Sequence, residues 1–185
     1  MEEVRTEDIL IRDVETKNIM TKSNLPVGGY SVNPYVGCTH ACKYCYASFM
    51  KRFTGHKEEW GTFLDIKHWP EIKHPEKYAG QRVVIGSVTD GYNPQEKEFG
   101  NTRKLLEQLR GSGADILICT KSDLVVRDID LLKELGQVTV SWSINTLDEK
   151  FKDDMDAAVS IERRIAAMKQ IYDAGIRTVC FVSPV

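Results

Sequence analysis

Apolar runs of strand length alternate along this chain with segments of helical period, and that alternation limits the fold more than any other feature. The strand-like runs are Ser31 to Val36, Arg82 to Val88, Asp115 to Thr120, Val138 to Asn145 and Arg177 to Val185. Between them, Phe99, Leu105, Leu106 and Leu109, and later Ile161, Ile165, Met168 and Tyr172, recur at helical spacing. Gly111, Gly113, Gly136 and Gly175 follow the helical segments, where a left-handed residue commonly ends a helix. The pattern predicts an α/β fold made of βα units with a mainly parallel sheet. At 185 residues and 42% hydrophobic content, the chain can bury roughly 70% of its unfolded surface, so one compact domain is expected.

The fourth run narrows the architecture. Val138, Val140, Trp142 and Ile144 alternate with Thr139, Ser141, Ser143 and Asn145, so one face is apolar and the other polar. Strands covered by helices on both faces usually read as continuous apolar runs; a polar second face predicts a lumen, hence a partial, open β/α barrel. Chemistry is then expected at the C-terminal strand ends and the loops after them. Residues 1–29 read as an N-terminal arm with a turn at Pro26-Val27-Gly28-Gly29, and residues 30–185 as the core. Lys51 to Lys77 form a long connection whose His56, His68 and His74 read as surface-loop residues. The last strand has nothing after it to cover its edge, which predicts a core incomplete at its C-terminal side.

The 25 Lys and Arg nearly balance the 27 Asp and Glu, for a net charge of -2. That balance argues against a broad nucleic-acid surface and leaves room for a local basic patch. No apolar run approaches the ~20 residues that span a bilayer, so no membrane role is expected. An acidic N-terminus without an apolar h-region and the crowding of reduced cysteines point to the cytoplasm. Cys119 and Cys180 sit alone in apolar runs and read as small buried hydrophobes.

The other three cysteines fall within eight residues, Cys38-Thr39-His40-Ala41-Cys42-Lys43-Tyr44-Cys45, directly after the first strand-like run. Crowding of this kind suits metal ligation better than disulfides. Structural zinc takes four protein ligands, whereas three thiolates suffice to hold a [4Fe-4S] cluster with one iron left open. A competing reading adds His40 as fourth ligand to zinc, with Lys43, Lys51 and Arg52 contacting nucleic acid. A catalytic thiol fits less well, because no thioredoxin-like pattern surrounds the loop.

The Cys-x3-Cys-x2-Cys spacing with Tyr44 before the third cysteine resembles the radical SAM signature. The resemblance covers about Tyr30 to Val185. Asn33 to Cys38, Tyr44 to Ala47, Ser87 to Glu96, Thr120 to Ser122 and Arg127-Asp128 resemble the spore photoproduct lyase-like branch, and within it the radical SAM proteins encoded in pairs on mobile elements. This implies that Cys38, Cys42 and Cys45 ligate three irons and that S-adenosylmethionine (SAM) chelates the fourth. One electron then cleaves SAM to methionine and a 5'-deoxyadenosyl radical, which abstracts hydrogen from a substrate not readable here. An electron donor such as flavodoxin or ferredoxin and a sister radical SAM protein are the implied partners.

The resemblance also carries over SAM contacts. Thr89 and Asp90 stand where other families place Gly-Gly-Glu; Lys121 resembles a lysine that meets the SAM carboxylate. Ser143 and Asn145 end the fourth strand, Arg164 lies in the next helix, and Tyr44 is expected beside adenine. Close relatives have Glu-Pro where this chain has Asp156-Ala157, which weakens any role assigned there. Spore photoproduct lyase uses a hydrogen-donor cysteine near the end of its second strand; Val83 to Tyr92 contains none, which argues against DNA photoproduct repair. A complete radical SAM core has six strands, and five are expected here.

Overall fold

The computed structural model describes residues 3–6, 9–24, 26 and 28–183. In chain order its strands are β1 (Glu3–Thr6), β2 (Ile9–Glu15), β3 (Thr21–Lys22), β4 (Tyr30–Val32), β5 (Tyr35–Val36), β6 (Phe63–His68), β7 (Arg82–Ile85), β8 (Asp115–Thr120), β9 (Val138–Ser143) and β10 (Arg177–Phe181). The helices are α1 (Glu96–Phe99), α2 (Asn101–Gln108), α3 (Ile129–Leu135), α4 (Glu149–Met155) and α5 (Ile161–Asp173). One sheet has the order β10-β9-β8-β7-β4-β3, parallel from β4 through β10, with β3 antiparallel at one edge. The five expected parallel strands are present, and the sheet is open: β3 and β10 are its edges. Pro184 and Val185, which the sequence reading placed in the last strand, and Val27 of the expected turn lie outside the described residues.

The expected run Ser31 to Val36 divides between two sheets. Asn33 interrupts it by turning its side chain to Ser87 (3.1 Å) and to the backbone N–H of Val88 (3.1 Å), and Pro34 has no N–H to continue a ladder. The chain then enters a second sheet, β1-β2-β6-β5. The segment read as an arm therefore supplies β1 and β2 to this sheet, and β6 lies inside the connection read as a loop. Ile11, Tyr35, Leu64 and Ile66 form a small core there, with Phe99 packed on it. His56 is buried in this sheet's flank, not at the surface: its ring bonds Asp65 (2.8 Å) and Glu58 (3.1 Å) and stacks on Phe63.

The main core sits between the large sheet and its helices, with Val32, Val83, Ile85, Ile116, Ile118, Val140 and Trp142 at its centre. The helix expected through Phe99 and Leu109 breaks at Gly100, whose φ of 64° ends α1 and starts α2. In α5 the expected apolar face is rotated. Ile165 and Tyr172 are 42% and 68% exposed, and the buried stripe is Ile161, Arg164, Ala167 and Ile171. Burial of Arg164 sets that rotation, as the site below explains. Ser160 caps the helix by accepting from the Arg163 N–H at 3.2 Å, a bond that contributes about 1 kcal/mol.

Candidate cofactor and metal site

The cysteine loop leaves β5 at Gly37 and crosses the C-terminal ends of β7 and β8. Gly37 has φ 86° and lies so close to β6 that a Cβ would meet the Phe63 carbonyl oxygen at 2.4 Å. Ala41, between the second and third quarters of the loop, takes φ 46°, an uncommon conformation for a residue with a side chain. Gly61 makes room for it, since a Cβ there would lie 2.6 Å from the Ala41 methyl. The small sheet thus serves as a pedestal for the loop. From the other side the Ala157 N–H donates to the His40 carbonyl (2.8 Å) and the Lys43 N–H to the Met155 carbonyl (2.9 Å).

These constraints bring Cys38, Cys42 and Cys45 to the wall of a cavity of about 360 Å³, within the range of small-ligand sites. Cys119, Lys121, Ser141 and Ser143 line it from the strand ends. The polar face of β9 therefore faces the cavity, while Val138, Val140, Trp142 and Ile144 fill the core. Tyr46 leans across the opening and donates its hydroxyl to the Ser87 carbonyl. Burial pushes the Cys38 thiol up to about 12, with the Asp90 charge adding to it. Burial likewise raises Cys42 to about 11 although Lys121 pulls it down. Thiols this hard to ionise are poor nucleophiles on their own and become thiolates when a cation binds them.

The residues singled out from the sequence do not all stand in the same relation to the cavity. Lys121 and Ser143 line the cavity beside the cysteines, and the Lys121 ammonium lies 5.5 Å from the centre of the Tyr44 ring. Asn145 lies two residues past the end of β9 and outside the cavity lining, with Oδ1 buried and without a partner among the described residues. Thr89 and Asp90 also border the cavity but are committed to the protein. The Thr89 hydroxyl donates to the Gly37 carbonyl at 2.5 Å. Asp90 accepts from His40 Nε2 (3.0 Å), Thr120 Oγ1 (2.9 Å), the Tyr92 N–H (2.9 Å) and the Lys121 N–H (2.7 Å). Burial alone would raise the Asp90 pKa; the His40 ring and the backbone donors outweigh it, and the carboxyl is held below its usual value.

Arg164 is fully buried behind the cavity. Its guanidinium donates to Asp156 Oδ1 (2.6 Å), the Val159 carbonyl (2.9 Å) and the Ser143 carbonyl (3.2 Å). Asp156, discounted in the sequence because Ala157 follows it, is the hub of this group: it also accepts from the Tyr44 hydroxyl (3.3 Å) and the Ala158 N–H (3.0 Å). The sequence reasoning also missed Tyr46, and it read Cys119 as a core filler. Cys119 is half-buried at the cavity wall, and Cys180 is exposed. Glu96, Arg127 and Asp128, all within the matching motifs, form a buried network with Tyr35, Tyr92 and Arg103 away from the cavity.

The donor set suits an iron-sulfur cluster better than zinc. Among the described residues, no three or more His, Cys, Asp or Glu side chains converge where a single ion would sit, whereas a cluster spreads three thiolates over three irons. The His40 ring, needed as zinc's fourth ligand, is turned to Asp90. His40 is on the cavity wall, and its Nδ1 is buried without a partner among the described residues, the kind of orphaned atom that a bound polar group satisfies.

An open parallel β/α sheet with three cysteines in the loop over its strand ends defines a radical SAM-type core. Residues 32–185 match the radical SAM superfamily, and the chain belongs to it. It is 35% identical over 178 residues to an uncharacterized protein of Methanocaldococcus jannaschii, covering 96% of this chain and 68% of that one. It is 34% identical to an uncharacterized protein of Acidianus two-tailed virus, covering 85% and 56%. Two solved structures of spore photoproduct lyase share the fold. A variant with bound AdoMet and dinucleoside spore photoproduct has a TM-score of 0.71 at 15% identity, and another variant 0.70 at 17%. Each covers 95% of this chain, which spans 51% of theirs. Among the described residues no helix is long and apolar enough to cross a membrane.

Proposed function

We propose that this chain is the catalytic core of a radical SAM enzyme in which Cys38, Cys42 and Cys45 hold a [4Fe-4S] cluster and the cavity beside them takes SAM. The observation that carries this reading is the convergence of the three cysteines, Lys121 and Ser143 on one cavity at the strand ends. When bound, cluster and SAM together supply a one-electron cleavage that yields a hydrogen-abstracting radical. The chain's own residues do the rest. Lys121 offers a cation for the SAM carboxylate, held by Asp90 at its N–H and by the Tyr44 ring at its ammonium. Ser143 at the cavity wall offers a hydrogen bond to the amino acid or ribose, Asn145 just beyond β9 offers its unpartnered Oδ1, and Tyr46 narrows the opening and limits water. Asp90 and Arg164 act as anchors behind these groups. A cytoplasmic location rests on the cysteine usage, and a sister radical SAM protein as partner on the sequence resemblance.

Anaerobic reconstitution with iron and sulfide tests the reading. The protein is expected to turn brown, absorb broadly near about 400 nm and hold about four irons. Cys42→Ala is expected to lose the intact cluster. A colourless protein holding one zinc, or a Cys42→Ala variant with full iron content, overturns the assignment.

A further inference from the structure

His40 stands between Cys38 and Cys42, and both its backbone and its ring are fixed. The Ala157 N–H donates to its carbonyl (2.8 Å), and ring Nε2 lies 3.0 Å from Asp90 Oδ2. The side chain is 2% exposed and borders the cysteine cavity. Asp90 uses both carboxylate oxygens as acceptors, for the Thr120 hydroxyl and the Tyr92 N–H at Oδ1 and for the Lys121 N–H at Oδ2. The bond to the ring is therefore donated by Nε2–H, and in the neutral imidazole Nδ1 is left with a lone pair. Nδ1 is buried, and among the described residues no donor meets it. A buried acceptor in this state costs free energy that a bound donor recovers.

Lys121 borders the same cavity, and its N–H is held by the same carboxylate oxygen at 2.7 Å. Asp90 thus joins two neighbours on the cavity wall, one with a free lone pair and one with an ammonium. That pair complements an α-amino acid, whose amine donates and whose carboxylate accepts. Other polar groups at this end are less free: the Thr89 hydroxyl is given to the Gly37 carbonyl, and Ser87 bonds Ser31 and Asn33. We propose that His40 Nδ1 accepts a hydrogen bond from the amino group of SAM, beside the carboxylate that Lys121 takes, with Asp90 as the residue that positions both. The inference rests on the SAM reading above and extends it to a side chain which that reading leaves unused. The Asp90 carboxylate behind the ring raises the basicity of Nδ1, which strengthens the contact. The step is binding alone; no bond breaks and no proton moves.

Two amide variants separate the two ring nitrogens. His40→Gln puts an amide near the Nε2 position, where it can donate to Asp90, and leaves no acceptor at Nδ1. His40→Asn puts an amide near the Nδ1 position, where it can accept, and takes the ring donor away from Asp90. Equilibrium dialysis on the reconstituted proteins measures affinity for SAM and for 5'-methylthioadenosine, which lacks the amino acid end. His40→Gln is expected to bind SAM about tenfold more weakly, with the thermal midpoint of the metal-free protein unchanged. His40→Asn is expected to bind SAM as the parent does, with a lowered midpoint. Iron content and affinity for 5'-methylthioadenosine are expected to be the same in all three proteins. Parental SAM affinity in His40→Gln, equal weakening in both variants, or equal weakening toward both ligands overturns the assignment of Nδ1 to the amino group. A parent protein that takes up no iron or binds no SAM overturns the reading beneath it.

Discussion

Two buried carboxylates flank the cysteine loop, and they hold it in different ways. Asp90 meets the loop through the His40 side chain and ties it to β8 through Thr120 and the Lys121 N–H. Asp156 meets it through the Tyr44 hydroxyl and ties it to the end of β9 through Arg164, which also holds the Ser143 carbonyl. Asp90 is thus held by a histidine ring, a hydroxyl and backbone N–H donors. Asp156 faces a guanidinium that stays charged. One anchor is spread over several donors and the other rests chiefly on one buried ion pair. The two sides of the loop are therefore expected to resist disruption unequally.

Breaking the rigid side is expected to have the largest effect. Asp156→Ala leaves the guanidinium of Arg164, whose side chain is 0% exposed, with backbone carbonyls alone. Stranding one partner of a buried pair costs about 3–5 kcal/mol, which for a chain of this size lowers the thermal midpoint by roughly 10 °C. Thermal unfolding followed by circular dichroism measures it. A midpoint within a degree or two of the parent would mean that Arg164 finds solvent or another acceptor, and that the two anchors do not differ.

The Asp90 side is expected to yield less. Asp90→Asn keeps one carbonyl acceptor and turns an amide toward donors, leaving one of them unpaired at a cost of about 1–3 kcal/mol. The same change reports on the cavity. Burial chiefly, and the Asp90 charge after it, push the Cys119 thiol up to about 11. Removing the charge favours the thiolate, so the pH profile for alkylation of Cys119 in the metal-free protein is expected to move to lower pH. Burial remains, so Cys119 is still expected to be alkylated more slowly than the exposed Cys180. Mass spectrometry of alkylated peptides across pH 8 to about 11 reads both sites. A profile that moves upward, or Cys119 reacting faster than Cys180, refutes the placement of Asp90 beside the cavity.

The contrast between these anchors also marks what the sequence makes legible. The cysteine spacing, the alternation in β9 and the glycines after the helices are local patterns, and each lies in the structure where it was expected. Lys121 and Ser143 came with the family resemblance, and both line the cavity at the strand ends. Asp156 did not, because its meaning depends on Arg164 eight residues on and on Tyr44 in another loop. Arg164 in turn explains why α5 buries a face that apolar periodicity does not select: the helix turns a cation inward where Ile165 and Tyr172 would have been the hydrophobic choice. The small sheet escaped for a related reason. Asp65 lies inside β6 as a charged residue and reads as loop until His56, buried against it at 2.8 Å, supplies its partner. Charges that are satisfied across the fold look like surface in one dimension.

The finest distinction concerns Tyr44, which belongs to the Asp156 side by its hydroxyl and to Lys121 by its ring. Tyr44→Phe removes the 3.3 Å bond to Asp156 and leaves the ring face under the Lys121 ammonium. The hydroxyl bond is long and Asp156 keeps Arg164, so the expected loss of stability is about 0.5–1.5 kcal/mol, the smallest of the series. Tyr44→Leu removes the ring as well and frees the Lys121 ammonium. SAM affinity, titrated on the reconstituted protein by the perturbation of its absorbance, is therefore expected to be unchanged in Tyr44→Phe and several-fold weaker in Tyr44→Leu, in line with a cation–π contact worth about 0.5–2 kcal/mol. Equal affinity in both variants would show that Lys121 is positioned by its backbone bond to Asp90 alone, and that the Asp156 side of the loop carries stability without touching the cofactor site.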